Sequence, residues 1–242
     1  MTTLTKITIA ILMSLLLFSC NFDINLNSGV TGNGNVSTQD RKLPENFNKI
    51  EVSRGLDVYL TQSDSQSLKV QADENLHDII ITEIENGVLK IYAEDNIKRA
   101  ESKKIMVNVT NLNAISATSG SDVISTNTLK TDTIKLSTTS GADIEVELDA
   151  QSTTLASTSG SDIRVKGKTN TLSASATSGS DINAQYLISQ SCTVSVTSGA
   201  DIAVHAEEKI TANATSGGDI KYYGNPKNES VSDTSAGNVR KQ

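Results

Sequence analysis

Aromatic residues are nearly missing from this 242-residue chain: they make up 3% of it, and Trp is absent. A globule anchored on large ring side chains is therefore not the expected packing scheme. Two Cys and two His, spread over Cys20, His77, Cys192 and His205, leave neither zinc-ligand spacing nor a disulfide framework. Positive charge is also in deficit: 21 Lys and Arg stand against 28 Asp and Glu, a net −7. Nucleic acid is thereby excluded as a partner, and anionic surfaces are poor ones. Hydrophobic residues reach only 36%, but 242 residues still suffice for a sizeable core in one or two domains.

What the chain does contain begins with an address. Lys6 precedes an apolar run from Ile7 to Phe18, broken by Thr8 and Ser14. A bilayer core needs about 20 apolar residues, so this run fits a secretory signal rather than a membrane span. It ends in Leu17-Phe18-Ser19-Cys20, which resembles the lipobox of bacterial lipoproteins. The resemblance implies cleavage before Cys20 and attachment of lipid to that residue. Residues 1–19 then form a signal peptide. Loss of Lys6 takes the net side-chain charge from −7 to −8. Asn21 follows the Cys where an inner-membrane retention signal would place Asp, so an outer-membrane lipoprotein is expected, on its periplasmic or surface face. Residues 20–46, rich in Asn, Ser and Gly, read as a flexible tether with one marginal strand at Gly34-Asn35-Val36. Cys192, left alone in an exported protein, is expected to be a buried thiol.

The dominant feature is a repeat. Thr-Ser-Gly-(Ser/Ala/Gly)-Asp-(Ile/Val) occurs six times, with its glycines at 120, 141, 160, 179, 199 and 217. Three residues after each glycine stand Val123, Ile144, Ile163, Ile182, Ile202 and Ile220; five before it stand Ile115, Leu136, Leu155, Ala174, Val194 and Ala212. Polar residues fall between. Each unit therefore reads strand, Gly turn, strand, with period-two alternation on both sides. Seven before the glycine, Cys192 shares a row with Ile134, Leu172 and Ile210. Units of 19–20 residues are too short for two strands and a helix, or for a propeller blade of roughly 40 residues. They fit single coils of a parallel β-solenoid, stacked about 4.8 Å apart. A narrow stacked core needs small residues, which accounts for the missing aromatics.

Residues 47–112 alternate less regularly and read as wider coils capping the stack, ahead of regular repeats over 113–224. Glu85-Asn86-Gly87-Val88 marks a tight turn between strands. Residues 227–242 read as a tail holding at most a degenerate half-turn at Ser235–Val239.

Together, the lipobox, Phe47-x-x-Ile50-x-Val52, Gly55-x-Asp57-Val58-Tyr59-Leu60, the Ser-Gly-x-Asp-Ile repeats and Gly224-Asn225-Pro226 resemble the head GIN domain, or auto-transporter adhesin, family of bacterial lipoproteins. The resemblance covers residues 47–226. It implies an all-β, single-stranded, right-handed parallel β-helix and a role in adhesion, and it brings no catalytic residues.

In a stacked coil the repeated residues form ladders. The glycine is expected at positive φ, and the Ser before it (Ser119, Ser140, Ser159, Ser178, Ser198, Ser216) on the inward parity, where its hydroxyl must be paired. The Thr row, from Thr118 to Thr215, is expected to face out. Asp122, Asp143, Asp162, Asp181, Asp201 and Asp219 form a carboxylate row. At about 4.8 Å, neighbours repel by about 3 kcal/mol at an effective dielectric of 20, and by under 1 in water. Corner N–H groups and hydroxyls donating hydrogen bonds to the carboxylates would offset the repulsion; so would Ca²⁺ bridging the carboxylates, although calcium-binding β-rolls carry more Gly and Asp per turn. No other cofactor is indicated.

The outward rows contain neither a basic tract nor an acid–base cluster, His205 lacks an evident nucleophile, and His77 reads as a surface residue. The expected function is non-catalytic: a membrane-anchored, repetitive binding face for a glycan or protein surface ligand. A polysaccharide-processing enzyme would need a charged cluster in a groove within residues 61–112. A self-associating or envelope-docking module would need exposed apolar ends.

Overall fold

The computed structural model describes residues 29–242. Cys20, the signal segment and the start of the tether lie outside them. Strands make up 69% of the structure, arranged as a β-solenoid of about seven turns. The strands before the repeats are β1 (Val30–Thr31), β2 (Val36–Arg41), β3 (Lys49–Val52), β4 (Asp57–Gln62), β5 (Ser67–Asp73), β6 (Ile80–Glu85), β7 (Val88–Ala93), β8 (Ile97–Arg99) and β9 (Lys103–Val109). The stack continues through β10 (Ala114–Thr118), β11 (Asp122–Thr139), β12 (Asp143–Thr158), β13 (Asp162–Thr177), β14 (Asp181–Val196), β15 (Asp201–Ala214), β16 (Asp219–Tyr223), β17 (Asn228–Asp233) and β18 (Asn238–Lys241). Helix is limited to one 3₁₀ turn, Glu74–Leu76, among the described residues.

Neighbouring repeat coils pair in parallel and in register. Ile144 pairs with Val123 and Ile163, and Ile182 with Ile163 and Ile202. Both apolar rows point inward, as do Val146, Val165, Ala184 and Val204, all at most 5% exposed. Cys192 is 2% exposed, a free thiol between Leu172 and Ile210. Burial pushes its pKa up to about 12, so it packs as a small hydrophobe.

The corner differs from its expected form in one respect. Glycines 120, 141, 160, 179, 199 and 217 do sit at positive φ, but the Ser before each does too, with φ between 53° and 59°. Two successive left-handed residues turn the chain without preserving alternation. The Ser is therefore exposed, and the residue after the glycine takes the inward place: Ser121, Ala142, Ser161, Ser180, Ala200 and Gly218. Its hydroxyl is the one that needs pairing. The Ser180 hydroxyl has two carbonyls within donating reach, Thr177 (2.9 Å) and Ser157 (2.8 Å), and Ser161 Oγ donates to the Thr158 carbonyl (2.8 Å). A second slip in alternation lies mid-coil, where Gln151-Ser152 and Asn170-Thr171 both stay out of the core. It bends the coil again without a glycine.

The capping region departs from simple sequential coils. β3 pairs in parallel with both β10 and β7, and β4 with both β11 and β9. The coil built from β3 and β4 therefore sits between the first repeat and the later segment β7–β9. Antiparallel strands finish this end: β6 on β7, β5 on β9, and β2 on β5. A parallel stack otherwise ends in unpaired N–H and C=O groups, and β2 occupies that edge. Much of the expected tether is thus part of the fold, and β1 pairs with β8. β2 also covers His77, which is 3% exposed rather than on the surface.

The expected tail is likewise a coil. β17 pairs with β15 and β18 with β16. Thr234-Ser235-Ala236-Gly237-Asn238-Val239 is a seventh, degenerate copy of the repeat, with Ser235 and Ala236 in the two positive-φ positions.

Two glycines separate conformational need from contact need. A methyl at Gly141 (φ 70°) would meet nothing within 4 Å, whereas one at Gly167 (φ 115°) would fall on the backbone carbonyl of Leu148 in the preceding coil. Gly141→Ala should cost only left-handed strain, about 1–2 kcal/mol. Gly167→Ala should cost about 3 kcal/mol or more, as strain and overpacking add. Urea unfolding of the two variants checks the order; equal losses would contradict the close coil contact.

Candidate functional site

The ladder of carboxylates is real and longer than the repeat indicates. Register places Asp57, Asp122, Asp143, Asp162, Asp181, Asp201 and Asp219 in one row, with Lys104 before the first and Asn238 after the last. Asp57 was legible as an echo in Gly55-Leu56-Asp57-Val58, but only pairing across 65 residues puts it beside Asp122. Each Asp opens its strand immediately after the corner, and its N–H bonds the preceding coil: Asp143 to the Ser121 carbonyl at 3.0 Å, Asp181 to that of Ser161 at 3.1 Å.

Two cations, rather than corner hydroxyls, sit against the row. Lys103 Nζ lies 3.5 Å from Asp57, and Arg164 reaches Asp162 at 2.7 Å and Asp143 at 3.8 Å. The corner hydroxyls of Ser161 and Ser180 are turned to backbone carbonyls. Farther from these cations, burial first, and then the charges of Asp162 and Asp201, raise the Asp181 carboxyl above the ordinary value. Burial, Asp57 and Asp143 do the same to Asp122. Among the described residues no three His, Cys, Asp or Glu side chains converge as a metal-binding group.

The rows beside the ladder carry complementary charge between two coils. Lys166 pairs with Glu147 and Lys168 with Asp149, both at 3.3 Å. These exposed pairs are worth about 0–1 kcal/mol each. They make a solvated charged face.

The hydroxyl face is the most regular surface. Thr118, Thr139, Thr158, Thr177, Thr197 and Thr215 are partly exposed, and each hydroxyl lies 3.4–3.5 Å from that of the next Ser. Two residues earlier on the same side run Ser116, Ser137, Ala156, Ser175 and Ser195. A trough of about 380 Å³ follows these two rows across successive coils.

The histidines do not complete a nucleophilic centre. His77 Nε2 is 3.0 Å from Ser37 Oγ, but its buried Nδ1 has no partner. The neighbouring strand's Asp73 is already taken by the N–H groups of Gly34 (2.8 Å), Glu101 and Ser102 (both 3.0 Å). Burial alone would raise the Asp73 carboxyl; these three bonds outweigh it and hold it below the ordinary range. His205 Nε2 bonds Glu207 at 2.9 Å, while the Ser189 hydroxyl donates to the His205 backbone carbonyl. A triad needs a carboxylate, an imidazole and a hydroxyl in series, and neither histidine has both partners.

A family described as "Putative auto-transporter adhesin, head GIN domain" matches residues 46–226. The chain belongs to this family. Among solved structures, a putative adhesin from Bacteroides fragilis aligns at 24% identity with a TM-score of 0.83, over 88% of this chain and all of its own. A putative lipid binding protein from Parabacteroides distasonis aligns at 23% and 0.74, over 88% and 99%. A putative adhesin from Parabacteroides merdae aligns at 20% and 0.69, over 89% and 99%. These are likenesses of fold. No curated protein matches the chain. The family match at residues 46–226 takes in β3 through β16.

The raised carboxyls set a pH dependence. A folded-state pKa above the unfolded value means that the folded chain binds more protons in the window just above the ordinary Asp range. The contribution of Asp122 and Asp181 to stability is therefore greatest below that window and falls as pH rises through it. Asp181→Asn removes one ladder charge and keeps a carbonyl acceptor. The variant should melt higher than the parent at pH 7, with the gain vanishing near about pH 3, where carboxylates are protonated. A lower Tm at pH 7, followed by circular dichroism, would contradict the repulsive ladder.

Proposed function

We propose that this head GIN domain protein is a lipid-anchored envelope or cell-surface adhesin, non-catalytic, whose stacked coils present a repetitive binding face. The observation that carries the reading is the in-register hydroxyl face. A flat array of Thr and Ser on one side of the coils, with a shallow trough along it, offers evenly spaced donors and acceptors to an extended, repetitive ligand such as a glycan or a protein surface. Family membership supports the adhesive role. The Ser19-Cys20 junction supports export and lipid attachment, with the protein held by Cys20 at the outer membrane.

Two measurements test this. Cys20→Ser should move the protein from the membrane fraction to the soluble exported fraction, and external protease should digest the parent on intact cells. The full mature chain should adhere to cells or to an arrayed glycan, and Thr158→Lys with Thr177→Lys should reduce that adhesion about tenfold or more without lowering Tm. Protection from protease on intact cells would exclude the surface location, and unchanged adhesion in the double variant would exclude the hydroxyl face.

A further inference from the structure

A second surface, outside the repeats, has a different chemistry. The outward side chains of β4, β9 and β5 line a groove of about 550 Å³, within the range of small-ligand sites. Register builds it as an array. Tyr59, Met106 and Lys69 form one row across the three strands, and Lys104 with Gln71 forms the next, on the same outward side. Asn108 lies beyond the first row. Strands are spaced by about 4.8 Å and same-side rows by about 7 Å. The middle of the array is therefore an apolar platform, the Tyr59 ring beside the Met106 thioether, with amides and ammonium groups around it.

The charge here opposes that of the chain. The protein carries −7 overall, yet no Asp or Glu lines the groove, while Lys69 and Lys104 do. Lys69 is shared with Asp40 of β2 at 3.4 Å. Asp57, in register with Lys104, is engaged by Lys103 instead. Lys104 makes no ion pair with a described carboxylate; its Nζ stands 5.8 Å from the Tyr59 ring centroid. The groove along the Asp ladder, by contrast, is lined by Asp181, Asp201 and Asp219 with the single cation Lys221.

From this juxtaposition we infer that the β4–β9–β5 groove is a binding site for an acidic saccharide. A sugar ring lies with its C–H face on Tyr59 and Met106. Its carboxylate is held by Lys104, and its hydroxyls are read by the amides of Gln71 and Asn108, which both donate and accept. A peptide strand is the weaker fit. β5 pairs with β2 and β9, β9 with β4 and β5, and β4 with β9 and β11, so the groove offers no free backbone edge for strand addition. The inference rests on the proposal that this is a binding protein, and it assigns that role a second site and a ligand class.

The test is calorimetric titration of the full mature chain with tetragalacturonate and with 3′-sialyllactose, against uncharged tetragalactose and lactose, and against hexaglutamate. At least one acidic saccharide should bind about tenfold or more tighter than its uncharged counterpart, and more weakly as salt is raised. Lys104→Gln, at an exposed position, should erase that difference with Tm unchanged; Tyr59→Ala should weaken binding about tenfold. Thr158→Lys should leave it intact. The inference is overturned if neither acidic saccharide binds, if the uncharged sugar or hexaglutamate binds as tightly, or if Lys104→Gln binds like the parent. If these titrations fail while the hydroxyl-face variants still lose adhesion, the groove is wrong and the adhesive reading stands.

Discussion

Parallel pairing in register between successive coils is the interaction on which the other features depend. On both sides of the glycine corner the backbone of one coil bonds the next residue for residue, so the repeat positions there meet their own copies at a strand spacing, while the register shifts fall mid-coil. The core then cannot be assembled from complementary shapes. It must be filled by rows of like residues, and those rows are Ile, Leu, Val and Ala because a coil of 19–20 residues encloses little space. Buried corner hydroxyls are tolerated because they are paired: Ser161 and Ser180 reach carbonyls of their own corner or the neighbouring coil, and Ser121 accepts the Gly55 N–H.

The same constraint creates the structure's main electrostatic cost. Seven Asp side chains fall into one row, and burial first, then the charges of their neighbours, raises the carboxyls of Asp122 and Asp181. The chain offsets this locally. Arg164 reaches two rungs, Lys103 takes Asp57 at one end, and the seventh copy of the repeat substitutes Asn238 at the other. The Asp backbone N–H, at the first residue after the corner, joins the inter-coil ladder in every repeat.

Surface chemistry divides along the stack. The regular coils present hydroxyls on one side and mixed charge on another. The capping end, where antiparallel strands close the sheet, carries the cationic, partly aromatic groove. That groove exists because β5 runs back alongside β9, bringing Lys69 and Gln71 beside Met106 and Lys104. A continuation of sequential coils would have placed another Thr or Asp rung there.

Sequence alone determined the coil length, the inward rows, the burial of Cys192 and the positive φ of the repeat glycines, because a period-two pattern repeated six times admits one side as the core. It misplaced the Ser before each glycine, since counting parity through a turn assumes that the turn preserves it, and two left-handed residues in succession do not. It also took residues 36–41 for tether and 228–241 for tail. Their polar, exposed strands carry no apolar signature, and only pairing with β5, β15 and β16 reveals them. Asp57 joined the ladder, His77 became buried and the Tyr59–Lys104 groove formed through contacts between residues some 40 to 65 positions apart. Those contacts depend on where the chain returns, which local periodicity does not encode.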